Sequence, residues 1–225
     1  MNMQERHTAT TMQHSGVSEV EVSKLFRNTY TLLAITLAFS ALVAYVSMSL
    51  NLPYPGIIVT LVGFYGLLFL TTKLRNSGWG LVSTFAFTGF LGYTLGPILN
   101  AYLSMPNGGS VVTLALGMTA LVFFSLSAYA IISRKDFSFL SGFIMAGFVV
   151  LMVAVVAGFF VEISGLQLAI SAGFVLFSSA VILYQTSSII HGGEDNYIMA
   201  TITLFVSIYN LFLSLLSLIG AFNDD

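Results

Sequence analysis

Gln185 follows Ser178 by seven residues and Ser171 by fourteen, and toward the end of the chain Ser207, Asn210, Ser214 and Ser217 recur at i, i+3, i+7 and i+10. Both spacings follow the helical period, so each set forms a single stripe on its helix. Amides and hydroxyls donate and accept hydrogen bonds, but none of them titrates near neutral pH. Two chemistries fit such stripes. One is hydrogen bonding between two helices in lipid, which contributes on average ~0.6 kcal/mol per contact. The other is the lining of a narrow hydrated cavity. In either case the two stripes are expected to face each other inside a helix bundle.

Groups that could move protons or break bonds are missing at that depth. The apolar runs contain no Asp, Glu, Lys, Arg or His; the nearest are Glu162, His191, Glu194 and Asp195, at ends or in loops. Such residues inside a membrane mark ion and proton paths, because they are costly in hydrocarbon. A late-span lysine for retinal is absent too, since the last lysine is Lys135. No HExxH, GxSxG or phosphate-cradling glycine loop occurs, so no catalytic residue, cofactor or metal site is assigned and no enzymatic activity is expected. The "HGGED" segment, 191–195, carries one histidine and two acids that could hold a metal loosely. It reads better as a solvated turn, with its acids favourably placed at the start of the next helix.

The elements that must carry these stripes follow from composition. The chain has 225 residues, 57% hydrophobic and 7% charged. Soluble domains carry roughly 25% charged residues, so this is an integral membrane protein whose main surroundings are lipid. A net charge of −2 gives no basic patch for nucleic acid. Without cysteine there are no disulfides, thiolate metal sites or cysteine nucleophiles.

Seven runs are long and apolar enough to cross a bilayer as helices: 29–50, 56–72, 79–103, 111–133, 138–161, 166–190 and 197–220. Turn residues separate them, as in "NLPYPG", "RNSG", "SMPNGG", "ISG" and "HGGEDN". The expected organisation is therefore a mostly disordered tail, 1–28, a seven-helix membrane domain, 29–220, and a short external tail, 221–225. The first tail ends in an amphipathic stretch, Val20 to Phe26, and carries no secretory signal. With seven crossings all seven Lys and Arg fall on one side. The positive-inside rule then places the amino terminus in the cytoplasm and the carboxy terminus outside.

In the third run Gly89, Gly92 and Gly96 share one helix face, followed by Pro97. Small residues allow close helix approach, and the proline leaves a carbonyl one turn earlier without its usual donor. Tight packing with a bend is the simpler reading; a gating hinge is the other.

The same stretch, "GFLGYTLGPIL" (89–99), resembles the signature of the Bax inhibitor-1 family. "LFRNTYTLLAITLAFSA", "LPYPG", "ALVFFSLSAY", "RKDFSFL" and "TSSIIHGGEDNYIMAT" are similar to its YccA-like branch, a likeness that runs from about residue 24 to 220. The resemblance implies a bundle with the last helix central and the other six around it, in the bacterial inner membrane. Calcium-leak members of the family carry a pH-sensitive pair of aspartates in spans six and seven. Gln185 stands in the pattern of the first and Ser207 in that of the second, while Asn210 keeps the family pattern. Both titrating groups are thus replaced. The resemblance to the YccA-like branch implies instead a partner, the membrane-anchored protease FtsH, whose modulator and slow substrate such a protein would be. A calcium leak through a neutral polar constriction formed by Gln185, Ser207, Asn210, Ser178 and Ser214 is the alternative.

Overall fold

The computed structural model describes residues 19–160 and 165–222. The sequence readings of residues 1–18, of Glu162 and most of the "ISG" turn, and of residues 223–225 lie outside this range. Seven helices follow one another: α1 Glu19–Ser49, α2 Ile57–Leu74, α3 Trp79–Leu103, α4 Gly108–Ser133, α5 Leu140–Ala157, α6 Leu166–Ile190 and α7 Tyr197–Ala221. All seven are long and apolar enough to span a membrane. Among the described residues there is no strand.

The expected runs agree with these helices closely, with two informative differences. α1 begins at Glu19, so residues 19–28 belong to the helix and not to a disordered tail. No breaker interrupts Glu19–Phe26, and Glu19 and Glu21 sit in the first turn, where negative charge suits the helix dipole. Its 31 residues would reach roughly 46 Å, against a hydrocarbon core of about 30 Å, so the charged first turns project beyond it. α5 stops at Ala157, where the bonding shifts from the i−4 to the i−3 carbonyl: Phe159 N donates to Val156 O at 3.1 Å and Phe160 N to Ala157 O at 3.0 Å.

α7 is the core of the bundle. Half of its most apolar stretch is buried, against 6% for α2 and for α5. It packs on α1, α3, α4 and α6, whereas α2 leans on α3 and α5 on α6. The expectation of six helices around α7 is corrected accordingly: four form the inner ring, and two lie outside it. Ile202, Leu204, Phe205, Leu211 and Leu216 of α7 join Leu33 of α1, Phe87 and Leu91 of α3, and Ile182 and Ile189 of α6 in one core.

All the described basic residues, Lys24, Arg27, Lys73, Arg75, Arg134 and Lys135, lie at one end of the bundle, hereafter the basic end. The turn from α6 to α7 is at that end. Gly192 there has φ of 73°, a left-handed conformation open to glycine. Asn196 then caps α7, its side-chain oxygen accepting from the N–H groups of Ile198 and Met199, both at 3.1 Å. Its amide donates to Asn76 Oδ1 at 2.9 Å and Arg75 O at 3.3 Å, which ties the central helix to the α2–α3 turn.

Candidate functional site

Among the described residues, a side-chain hydrogen bond joins the two polar stripes at one level. Ser171 Oγ donates to Ser217 Oγ at 3.1 Å, close to the end opposite the basic one. Antiparallel helices pair residues of constant sum, so this bond places Ser178 level with Asn210 and Ser207 level with Val181. Gln185 then lies four residues, or roughly 6 Å of helix rise, nearer the basic end than Ser207. Among the described residues no hydrogen bond joins the two. Ser207 is 5% exposed and donates to the Thr203 carbonyl of its own helix at 2.7 Å. Ser214 is buried in the same stripe, Asn210 is half-buried, and the Ser178 hydroxyl is buried without a protein partner.

Gln185 has a different partner from those the spacing suggested. Its amide donates to Glu194 Oε2 at 3.2 Å. The other carboxylate oxygen accepts from the backbone N–H groups of Asp195 and Asn196, at 3.1 and 3.0 Å. Thus a buried amide at the end of α6 holds the acid that shapes the turn into α7. The local sequence gave one signal for this: an acid at a helix start. The "HGGED" segment forms the turn itself, with Gly193 N donating to Ser188 O at 2.8 Å.

The hydroxyls beside Gln185 fasten other elements to α6. Thr186 Oγ1 and Tyr30 Oη of α1 are 3.1 Å apart. Ser187 Oγ accepts from Phe137 N at 3.0 Å and donates to Lys135 O at 3.2 Å. Both His191 ring nitrogens face backbone carbonyls, Ser187 O at 2.9 Å and Arg134 O at 3.1 Å. The α4–α5 loop is therefore docked on the end of α6. Within that loop Asp136 accepts from the Ser138 N–H at 2.8 Å and from its hydroxyl at 3.1 Å. The Ser138 N–H first, then its hydroxyl, with nearby His191 contributing less, hold the Asp136 carboxyl below the usual carboxylate range.

The glycine signature of α3 proves to be a seam against α1. A Cβ at Gly92 would run into the Ser40 carbonyl, one at Gly96 into the Ser47 hydroxyl and one at Gly89 into the Phe39 ring. The carbonyl that Pro97 cannot reach is that of Tyr93, and Ser47 Oγ of α1 donates to it at 3.0 Å. Asn100 Nδ2 adds a bond to Met48 O at 3.0 Å. Tyr209 of α7 completes the tie, its hydroxyl 2.9 Å from Thr94 Oγ1. These contacts are those of a packing seam. Sequence reasoning placed the glycines on one face but had no signal for Ser47, 46 residues before its acceptor.

Comparison with known proteins adds what geometry leaves open. A family model described as "Inhibitor of apoptosis-promoting Bax1" matches residues 22–224. An uncharacterized protein of Pseudomonas aeruginosa is 71% identical over 94% of this chain and 96% of its own. The "Modulator of FtsH protease YccA" of Escherichia coli K12 is 57% identical over 94% of this chain and 96% of its own. The same identity and coverage hold for the "Inner membrane protein YccA" of Escherichia coli O6:H1.

Proposed function

The chain belongs to the Bax inhibitor-1 family, and on that premise we propose that it is an inner-membrane modulator of the FtsH protease, not itself an enzyme. The observation that carries this reading is the 57% identity, over 94% of the chain, to a relative named for modulating FtsH. In this reading the basic end faces the cytoplasm and the carboxy terminus the periplasm, as the positive-inside rule requires. The protease engages the amino-terminal residues ahead of α1 and pulls. Resistance comes from the bundle: α1 is held to α3 by the glycine seam, to α6 by Tyr30 and Thr186, and to α7 by Thr201, whose hydroxyl reaches Thr29 O at 3.2 Å. Extraction of α1 must break all three together. A substrate released slowly occupies the protease and spares other clients.

The test is to raise the protein's level in cells and follow the decay of FtsH membrane clients. Longer client lifetimes are expected; unchanged lifetimes refute the proposal. Removing residues 1–18 should lengthen the life of the protein itself, and unchanged turnover would refute engagement from the amino terminus.

The calcium-leak reading draws on one observation, the unpartnered Ser178 hydroxyl buried between α6 and α7. Against it, the Gln185 amide donates to Glu194 and the Ser207 hydroxyl to its own helix, and the two lie at different levels. Calcium-dye-loaded liposomes decide the matter: no flux between acidic and neutral pH refutes the leak, steady flux supports it, and flux gated by pH would overturn the argument from the missing acids.

A further inference from the structure

α1 and α4 touch near the basic end, where the Tyr30 and Phe123 rings lie 6.2 Å apart, and leave a crevice between them toward the other end. The crevice has a volume of ≈ 400 Å³. Its floor is α7, with Phe205, Tyr209 and Phe212, flanked by Leu95 and Leu99 of α3. Small side chains on α1, Ser40, Ala41 and Ala44, keep it open. Two of its few polar groups already have partners: Thr119 Oγ1 donates to Ala115 O at 2.7 Å, and the Tyr209 hydroxyl pairs with Thr94.

We propose that this crevice is a binding site for one lipid acyl chain, taken from the leaflet at the end opposite the basic one. Three observations select that occupant. The lining runs along α1 from Leu37 to Met48, eleven residues or roughly 17 Å of rise, about the ~15 Å hydrocarbon depth of one leaflet. Its walls are apolar, and a water would find too few of the two to four polar partners it needs. A partner's transmembrane helix is too large, since 20 helical residues fill on the order of 2,500 Å³. Left empty, the half-buried Leu37, Met48, Leu95, Leu99 and Tyr209 around it would lose dispersion contacts on one side. A chain seated there restores them and wedges α1 against α4.

The experiment uses the full-length protein in liposomes containing phosphatidylethanolamine with a diazirine in mid-chain. After illumination, labelled peptides are mapped by mass spectrometry. Labelling concentrated on residues 37–48 and 112–119 is expected, above that of α2 and α5, although those two helices expose more surface to lipid. Ala41→Phe, which fills the mouth, should lower crevice labelling at least about fivefold, as overpacking of a site does. Leu116→Trp, from the α4 side, should do the same if the first variant fails to fold. Val62→Phe, on the lipid face of α2, should leave the labelling unchanged. Labelling that merely follows exposure, or persists in the filled variants, overturns the proposal. So does capture of a polypeptide in place of lipid when a photoreactive residue stands at position 41 in native membranes.

Discussion

Pro97 and Ser47 offer a direct test of how the α1–α3 seam is built. Proline at 97 leaves the Tyr93 carbonyl without its intrahelical donor, and Ser47 Oγ supplies one from α1 at 3.0 Å. Ser47 is 1% exposed, so removing its hydroxyl leaves that carbonyl unsatisfied in a dry contact. An unsatisfied buried acceptor costs about 1–3 kcal/mol in water-soluble proteins. Hydrogen bonds between membrane helices average nearer ~0.6 and reach about 1.7 kcal/mol. Ser47→Ala is therefore expected to cost about 1–1.5 kcal/mol. In a Pro97→Ala background the new N–H at 97 can bond Tyr93 O itself. Ser47→Ala should then cost no more than roughly 0.5 kcal/mol, giving a coupling of about 1 kcal/mol. The assay is a double-mutant cycle on unfolding by SDS in mixed micelles, followed by far-UV circular dichroism. Equal costs of Ser47→Ala in the two backgrounds, within about 0.3–0.5 kcal/mol, would refute the account of the freed carbonyl.

Other expectations concern the same network. Gly92→Ala drives a methyl into the Ser40 carbonyl and should destabilise by about 1–3 kcal/mol, while Gly117→Ala, which meets open space on α4, should be neutral or stabilise by up to about 1 kcal/mol. Thermal melting in detergent distinguishes the two. Asn196→Ala removes the α7 cap and should cost about 1 kcal/mol; Asn196→Asp keeps the cap but loses the amide bonds to Arg75 and Asn76, so its hydrogen-exchange change should concentrate at residues 75–76. Because the folded Asp136 carboxyl titrates below its unfolded value of about 3.9, its stabilising contribution is present above that pH and is lost as pH falls through the lower folded value. Exchange at the Ser138 amide should accordingly lose Asp136-dependent protection only in that acid window, and Asp136→Asn should abolish the pH dependence. A loss setting in nearer neutrality would contradict it.

Much of this molecule was legible without a structure, for a physical reason. Lipid forces each spanning segment to satisfy its own backbone, so length, apolarity and punctuation locate helices locally. That is why α3 and α6 fall where the apolar runs place them and why the glycines could be set on one face. The start of α1 was only half legible: the amphipathic stretch Val20 to Phe26 was visible, but a charged extension outside the hydrocarbon has no continuous apolar run to join it to the span. Gln185 shows the limit of stripe reasoning. Its period put it on the Ser178 face, yet its amide reaches past the end of the helix to Glu194.

What the sequence determined by itself was the count of the spanning helices, the bounds of α3 and α6, and the family. Only the tertiary structure decided which hydroxyl meets which carbonyl, that α2 and α5 stay outside the ring around α7, and that a crevice opens between α1 and α4. Helix formation in lipid is a matter of neighbouring residues. The pairing of Tyr30 with Thr186, 156 residues apart, depends on the depth and rotation of two whole helices, which no local pattern encodes.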